Sequence, residues 1–181
     1  VYSMESEIRG MYPAFTVKSG ILSALLAQKG ITGSKNSLDG ERGLFNVFFD
    51  GEYDHASLTT GLGEQFEGLN VSFKPWPSCR YAHSYIEATL QILREDNIPR
   101  EEIAEITPIV NEFLRDFLCE PLKGKQAPKT IMDARISMPF ILATAIARNG
   151  VTLSDFTLDK LGDPVVTELA QKVNYRIDPQ I

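Results

Sequence analysis

Lys74, Ser78, Cys79, Arg80 and His83 share one short stretch, KPWPSCRYAH over residues 74–83, which brings together two cations, a hydroxyl, a thiol and an imidazole. Such a set suits an anion. A lysine at the end of one element and the unpaired N–H groups at the start of a helix can hold a carboxylate or phosphate between them. A histidine also titrates near neutrality, which suits proton transfer. Plainer readings stand beside these. Lys74 is equally a solvated lysine before a proline, and His83 equally a cap, a surface residue or a support for the turn.

The elements on either side must position these groups. Leu69, Val71 and Phe73 alternate with Asn70, Ser72 and Lys74, which predicts a half-buried strand over 69–74. Pro75 and Pro77 end it and stiffen the turn that follows. Beyond the turn, Ala82, Tyr85, Ile86, Thr89, Ile92 and Leu93 recur at helical spacing, with Ser78 as the expected N-cap.

KPWPSCRYAH, followed by Tyr85-Ile-Glu-Ala88, resembles the Lys-Pro-aromatic-Pro-Ser-Cys-Arg-x-x-His signature of the MmgE/PrpD family. KSGILSALLAQKGITG over 18–33 and APKTIMDARISMPF over 127–140 agree with the same family, in the right order. The resemblance implies a lyase acting on a small polycarboxylate by metal-independent proton abstraction next to a carboxylate. A hydro-lyase of the 2-methylcitrate dehydratase type comes first, with cis-aconitate decarboxylation or iminodisuccinate epimerisation as alternatives. From another class, a non-catalytic segment that binds or dimerises remains open. The resemblance assigns Lys74 and His83 to catalysis, and Lys18, Ser78, Cys79 and Arg80 to substrate binding. It implies neither cofactor nor metal, and a homodimer for the whole protein. Lys18, on an apolar helix, could otherwise snorkel to the surface. Phe140 stands where many family members carry tyrosine, so a hydroxyl is missing there and the choice among substrates stays open. The acidic and histidine residues that the family uses for proton transfer have no match here, so the chain reads as a middle segment holding half a site.

Composition sets outer bounds. At 181 residues, 43% hydrophobic and 23% charged, the chain suits one domain or parts of two. A net charge of −6 argues against generic nucleic-acid binding and leaves a local cationic cluster free to hold a small anion. No run is apolar for long enough to cross a bilayer, and the first residues carry no presequence pattern. Cys79 and Cys119 form no CxxC pair and no His/Cys cluster, which favours a reduced, cytoplasmic protein without structural zinc.

Along the chain, residues 14–29 read as a helix with so broad an apolar face that burial is expected, stopped by Gly30. Residues 30–43 read as loop, 44–49 as an apolar run of uncertain type and 55–66 as weakly helical, with His55 a surface or capping residue. Residues 103–110 alternate as a strand that Pro108 limits, 111–118 suit a short helix, and 120–129 read as an exposed loop. Thr130 and Asp133 open a helix that Pro139 must kink or restart and Gly150 ends. Asp163 and Pro164 start another helix, and Val173, Tyr175 and Ile177 alternate as a closing strand. The expected fold is α+β: the end of an all-helical domain over 1–67, then a lid domain over 68–181 with helices packed on a mostly antiparallel sheet. The family resemblance places a polycarboxylate site between the two.

Overall fold

The computed structural model describes residue 8 and residues 11–180. Most of the opening stretch inspected for a presequence lies outside them. The chain divides between Ser72 and Phe73 into two compact units.

The first unit is helical and has almost no interior. Helix α1 (Tyr12–Gln28) starts with Pro13 in its first turn and stops where Gly30 takes φ +90°, a conformation that costs glycine nothing. Its apolar residues go all round, yet none is buried, which corrects the expectation of a buried helix. Apolarity states what a helix needs, while burial requires neighbours that supply it. Thr16, Ser19 and Ser23 turn their hydroxyls back to carbonyls one turn earlier. The run of uncertain type forms α2 (Leu44–Phe49), whose Phe45 stacks on Tyr53 at 4.1 Å. Helix α3 (His55–Thr59) is capped by Asp54, which accepts from the Ala56 N–H at 3.0 Å. Among the described residues of this unit only Gly43 is buried.

The strand expected over 69–74 is absent. Glu67–Asn70 make a 3₁₀ turn, secured by an Asn70 to Glu67 side-chain bond of 2.9 Å, and no ladder partner meets the residues after it. Leu69 and Phe73 stand 89% and 96% exposed. Period-2 alternation makes a strand only when a neighbour completes its hydrogen bonds.

In the second unit the core is built around α8 (Met138–Arg148), in which every residue from Met138 to Ile146 is buried. Ser137 caps it and Pro139 sits in its first turn, so proline restarts the helix here rather than kinking it. A helix apolar on all sides needs cover all round. α4 (His83–Asp96), α9 (Pro164–Gln171), α6 (Leu122–Gln126) and α7 (Ile131–Arg135) provide it. α4 contributes Ile86 and Leu90, while Ile92, expected on its buried face, is half exposed. α9 begins at Asp163, whose carboxylate accepts from the N–H groups of Val165 and Val166. After α5 (Glu112–Leu114), residues Arg115–Cys119 form a π-helical turn.

The sheet corrects the expected fold class. Strands β1 (Ile109–Val110) and β2 (Arg176–Ile177) form a two-stranded parallel pair, extended by a parallel bridge between Ile106 and Val173. The fold is therefore predominantly helical, with a parallel ribbon at one edge of the second unit, and not α+β on a mostly antiparallel sheet. Alternation marks a strand without giving its direction. Here the long helical connection between the two strands permits the parallel pairing. Pro108, lacking an N–H, still accepts from Arg176 at 3.0 Å. The loop expected over 120–129 is also corrected: it contains α6, and its Lys125 is buried.

Candidate functional site

The 74–83 turn is folded by its own backbone and by one distant strip. Pro77 forces a tight reversal in which the Ser78 N–H donates to the Trp76 carbonyl at 2.9 Å. The Cys79 N–H donates to the Arg135 carbonyl at 2.9 Å, which ties the turn to the end of α7. Arg80–Ala82 then make a 3₁₀ turn, and α4 begins at His83. Ser78 is therefore not the N-cap that spacing predicts: Ala82 precedes α4, and no side chain caps it. The 3₁₀ turn Arg80–Ala82 stands between Ser78 and α4 and keeps the hydroxyl off the first helical turn.

Lys74 and Arg80 are exposed cations at the two ends of this reversal. The Lys74 ammonium folds back to donate to the Ser78 carbonyl at 3.2 Å. Ser78 is only 4% exposed, and its hydroxyl is buried without a partner. The same is true of His83 Nε2. Buried polar atoms are almost always paired, so two orphans on one turn point to a group that completes them. Burial pushes the His83 pKa below the ordinary histidine value, and the Lys74 and Arg80 charges push the same way against the pull of the Ser78 and Trp76 backbone. Near neutral pH the imidazole is uncharged and able to accept a proton. Trp76 meets it edge-on at 5.5 Å. The amides of Ser78 and Cys79 are already engaged, so their side chains are what they can offer a ligand.

Arg135 was missed by sequence reasoning, although it lies within the APKTIMDARISMPF stretch. Its carbonyl holds Cys79, its Nε is buried without a partner, and its guanidinium lies over the Phe156 ring at 5.6 Å. A lone arginine in a helical turn carries no spacing signal that could have singled it out. Phe140, noted for its missing hydroxyl, is 2% exposed and packs on Phe156 in the core of the second unit. Lys18 lies in the first unit, on α1, and is exposed there. His55 is exposed beside its capping neighbour Asp54, its ring tilted against Tyr53. Burial pushes the Cys119 thiol up to about 11, so it stays protonated and unreactive near neutrality.

A cleft of about 320 Å³ opens elsewhere in the second unit, lined by Ile92, Ile98, Ile103, Ile106 and Leu142, with Glu105 as its one charged residue. It contains none of the 74–83 side chains. A polycarboxylate would lose hydration there and meet a like charge, so this cleft is the wrong place for one. Among the described residues no group of three or more His, Cys, Asp and Glu side chains could hold a metal ion, and no helix is long and apolar enough to cross a membrane.

Comparison with known proteins agrees with the sequence motifs. A cis-aconitate decarboxylase-like protein of Aspergillus oryzae is 24% identical over 177 residues, an alignment that covers 93% of this chain and 37% of the relative. The chain thus spans little more than a third of that protein's length. The family model for the MmgE/PrpD N-terminal domain matches residues 2–56. The model for the MmgE/PrpD C-terminal domain matches residues 76–181, from Trp76 of the reversal to the end of the chain. With more than half of its length matched by that second domain alone, and the remaining match in the expected order, this chain belongs to the MmgE/PrpD family.

Proposed function

We propose that the native polypeptide carrying this chain is a lyase acting on a small polycarboxylate, with the 74–83 turn as part of its substrate site. The carrying observation is the turn itself: two exposed cations, Lys74 and Arg80, beside a buried hydroxyl and a buried imidazole nitrogen that have no partner among the described residues. In this reading Lys74 and Arg80 bind carboxylates. Ser78 Oγ donates to one of them, and Cys79 lines the turn. Lys74 gives up its Ser78 carbonyl when substrate arrives. Neutral His83 accepts a proton or fixes the turn that carries Lys74.

In dehydration, a proton leaves the carbon next to a carboxylate and hydroxide leaves the neighbouring carbon as water. In decarboxylation of an unsaturated acid, the C–C electron pair moves into the neighbouring double bond as carbon dioxide leaves, and the far alkene carbon, next to a carboxylate, is then protonated. Both build negative charge beside a carboxylate, and fixed cations stabilise it best when they are already in place. Dehydration of a 2-methylcitrate-like substrate is the first reading. Decarboxylation of a cis-aconitate-like substrate is the second, favoured by the name of the Aspergillus relative. A soluble cytoplasmic homodimer without cofactor or metal completes the proposal.

The test is turnover of 2-methylcitrate and cis-aconitate by the native polypeptide and by Lys74→Met, which keeps much of the apolar stem and removes the charge. The expected fall in kcat/KM is about 10² or more. Lys74→Arg should not restore it, because a planar fork differs from an ammonium in reach. Full activity in Lys74→Met would leave Lys74 a solvated lysine and end the anion-site reading.

A further inference from the structure

Among the described residues, Lys125 is the one charged side chain that is buried, at 9% exposure. Its ammonium donates to the Ile136 carbonyl at 2.7 Å and to the Phe117 carbonyl at 2.9 Å. Phe117 belongs to the π-helical turn, where carbonyls leave the regular i to i−4 pattern and need other donors. The Lys125 backbone carbonyl in turn accepts from Ser137 Oγ, the same oxygen that caps α8 by accepting from the Phe140 N–H at 3.0 Å. Lys125 thus grips the strip 135–137 at two points. On the strip's other side, the Arg135 carbonyl holds the Cys79 amide.

An ammonium is expensive to bury, and a core selected for stability alone would place an apolar side chain here. The cost fits a site where several main-chain segments must be held in one register. Three segments meet at this nitrogen or one residue from it: the π-helical turn, the start of α8 and the 74–83 reversal. No apolar side chain could satisfy the carbonyls of the first two at once.

We propose that Lys125 is a positioning residue for the 74–83 turn, fixing strip 135–137 so that the Arg135 carbonyl sets Cys79 and, through it, the directions of Ser78 and Lys74. The consequence for ligand binding rests on the carboxylate-site reading given above, whereas the positional claim does not. Trp76, the only tryptophan in the chain, and the Cys79 thiol both lie inside the turn and report on it directly.

The experiment compares the native polypeptide carrying this chain with Lys125→Met and Lys125→Arg. It reads acrylamide quenching of Trp76 in the 181-residue chain and, in the native polypeptide, iodoacetamide labelling of Cys79 located by peptide mapping and binding of tricarballylate, a tricarboxylate with no hydroxyl to eliminate. Circular dichroism establishes that each variant is folded at the temperature used. In folded Lys125→Met, Trp76 quenching should rise, Cys79 labelling should speed up severalfold, and the tricarballylate Kd should weaken by about tenfold, equivalent to about 1.4 kcal/mol. Lys125→Arg keeps the charge but not the shape, and should fall between. Quenching and labelling identical to the parent in folded Lys125→Met would overturn the proposal.

Where Lys125→Met does not fold, amide exchange in the parent decides instead. The Cys79 N–H should exchange as slowly as amides within α8, and exchange at the rate of an exposed loop would overturn the positioning role. Should Trp76 and Cys79 respond while the parent binds no tricarballylate, the carboxylate-site reading fails and the positioning role stands.

Discussion

Helices α1 and α8 are both apolar around their whole circumference, and they meet opposite fates. In α8 every residue from Met138 to Ile146 is buried, because α4, α6, α7 and α9 close around it. In α1 none is buried, and Phe15, Ile21, Leu22, Leu25 and Leu26 stay exposed. Apolar composition therefore measures a helix's demand for partners and not whether they exist. Among the described residues, only the second unit has a core able to hold side chains in fixed positions, and only there are buried groups such as Lys125, Ser137 and Ser78 placed reproducibly. A site needing geometry within fractions of an ångström has to be anchored in such a core.

The sharpest way to break this comparison is to truncate each helix in turn. Ile141→Ala in α8 should destabilise the second unit by about 2–5 kcal/mol through lost burial and the cavity left behind. Leu25→Ala in α1 should move the unfolding of this chain by about 0.5 kcal/mol or less. Urea titrations of the 181-residue chain read both. Equal shifts would mean that α1 has a packed face in solution that the structure does not show.

Capping gives a smaller contrast. Asp163→Ala removes the one oxygen that accepts from two N–H groups at the start of a packed helix and the partner of Arg148, and should cost about 1 kcal/mol. The same change at Asp54, which caps the five-residue α3 in a unit with almost no buried side chains, should leave the unfolding midpoint where it is. A clear shift for Asp54→Ala would show that α3 takes part in cooperative folding.

The smallest effect expected is a pH slope. Because the folded-state pKa of His83 lies below its unfolded value, the unfolded chain binds the proton more readily. Stability from this residue is fully present above about pH 6.5 and falls away as pH drops through that value toward the folded pKa. Trp76 emission should titrate with a midpoint below the ordinary histidine value, since Trp76 meets the imidazole edge-on. His83→Gln should abolish that titration, and an unchanged curve would assign it to another group.

Most features that close within a few residues were legible in advance, the start of α4 excepted. The chain itself announces the stop of α1 at Gly30, the Thr130 cap of α7, a kink or restart at Pro139, the Asp163 and Pro164 start of α9, and the reversal imposed by Pro75 and Pro77. Each follows from φ limits or from a side chain reaching a nearby N–H. The motif in residues 74–83 was equally plain, and with it the family. What required the tertiary structure were properties that depend on a distant partner. The parallel direction of β1 and β2 depends on how helices carry the chain between them. The lost strand over 69–74 depends on a neighbour that does not meet it. The burial of Lys125 depends on carbonyls from Phe117 and Ile136, and the anchoring of Cys79 depends on Arg135. Local sequence fixes torsions and caps because they are settled within a turn of chain, whereas burial and hydrogen-bond completion are settled by whatever the rest of the fold brings alongside.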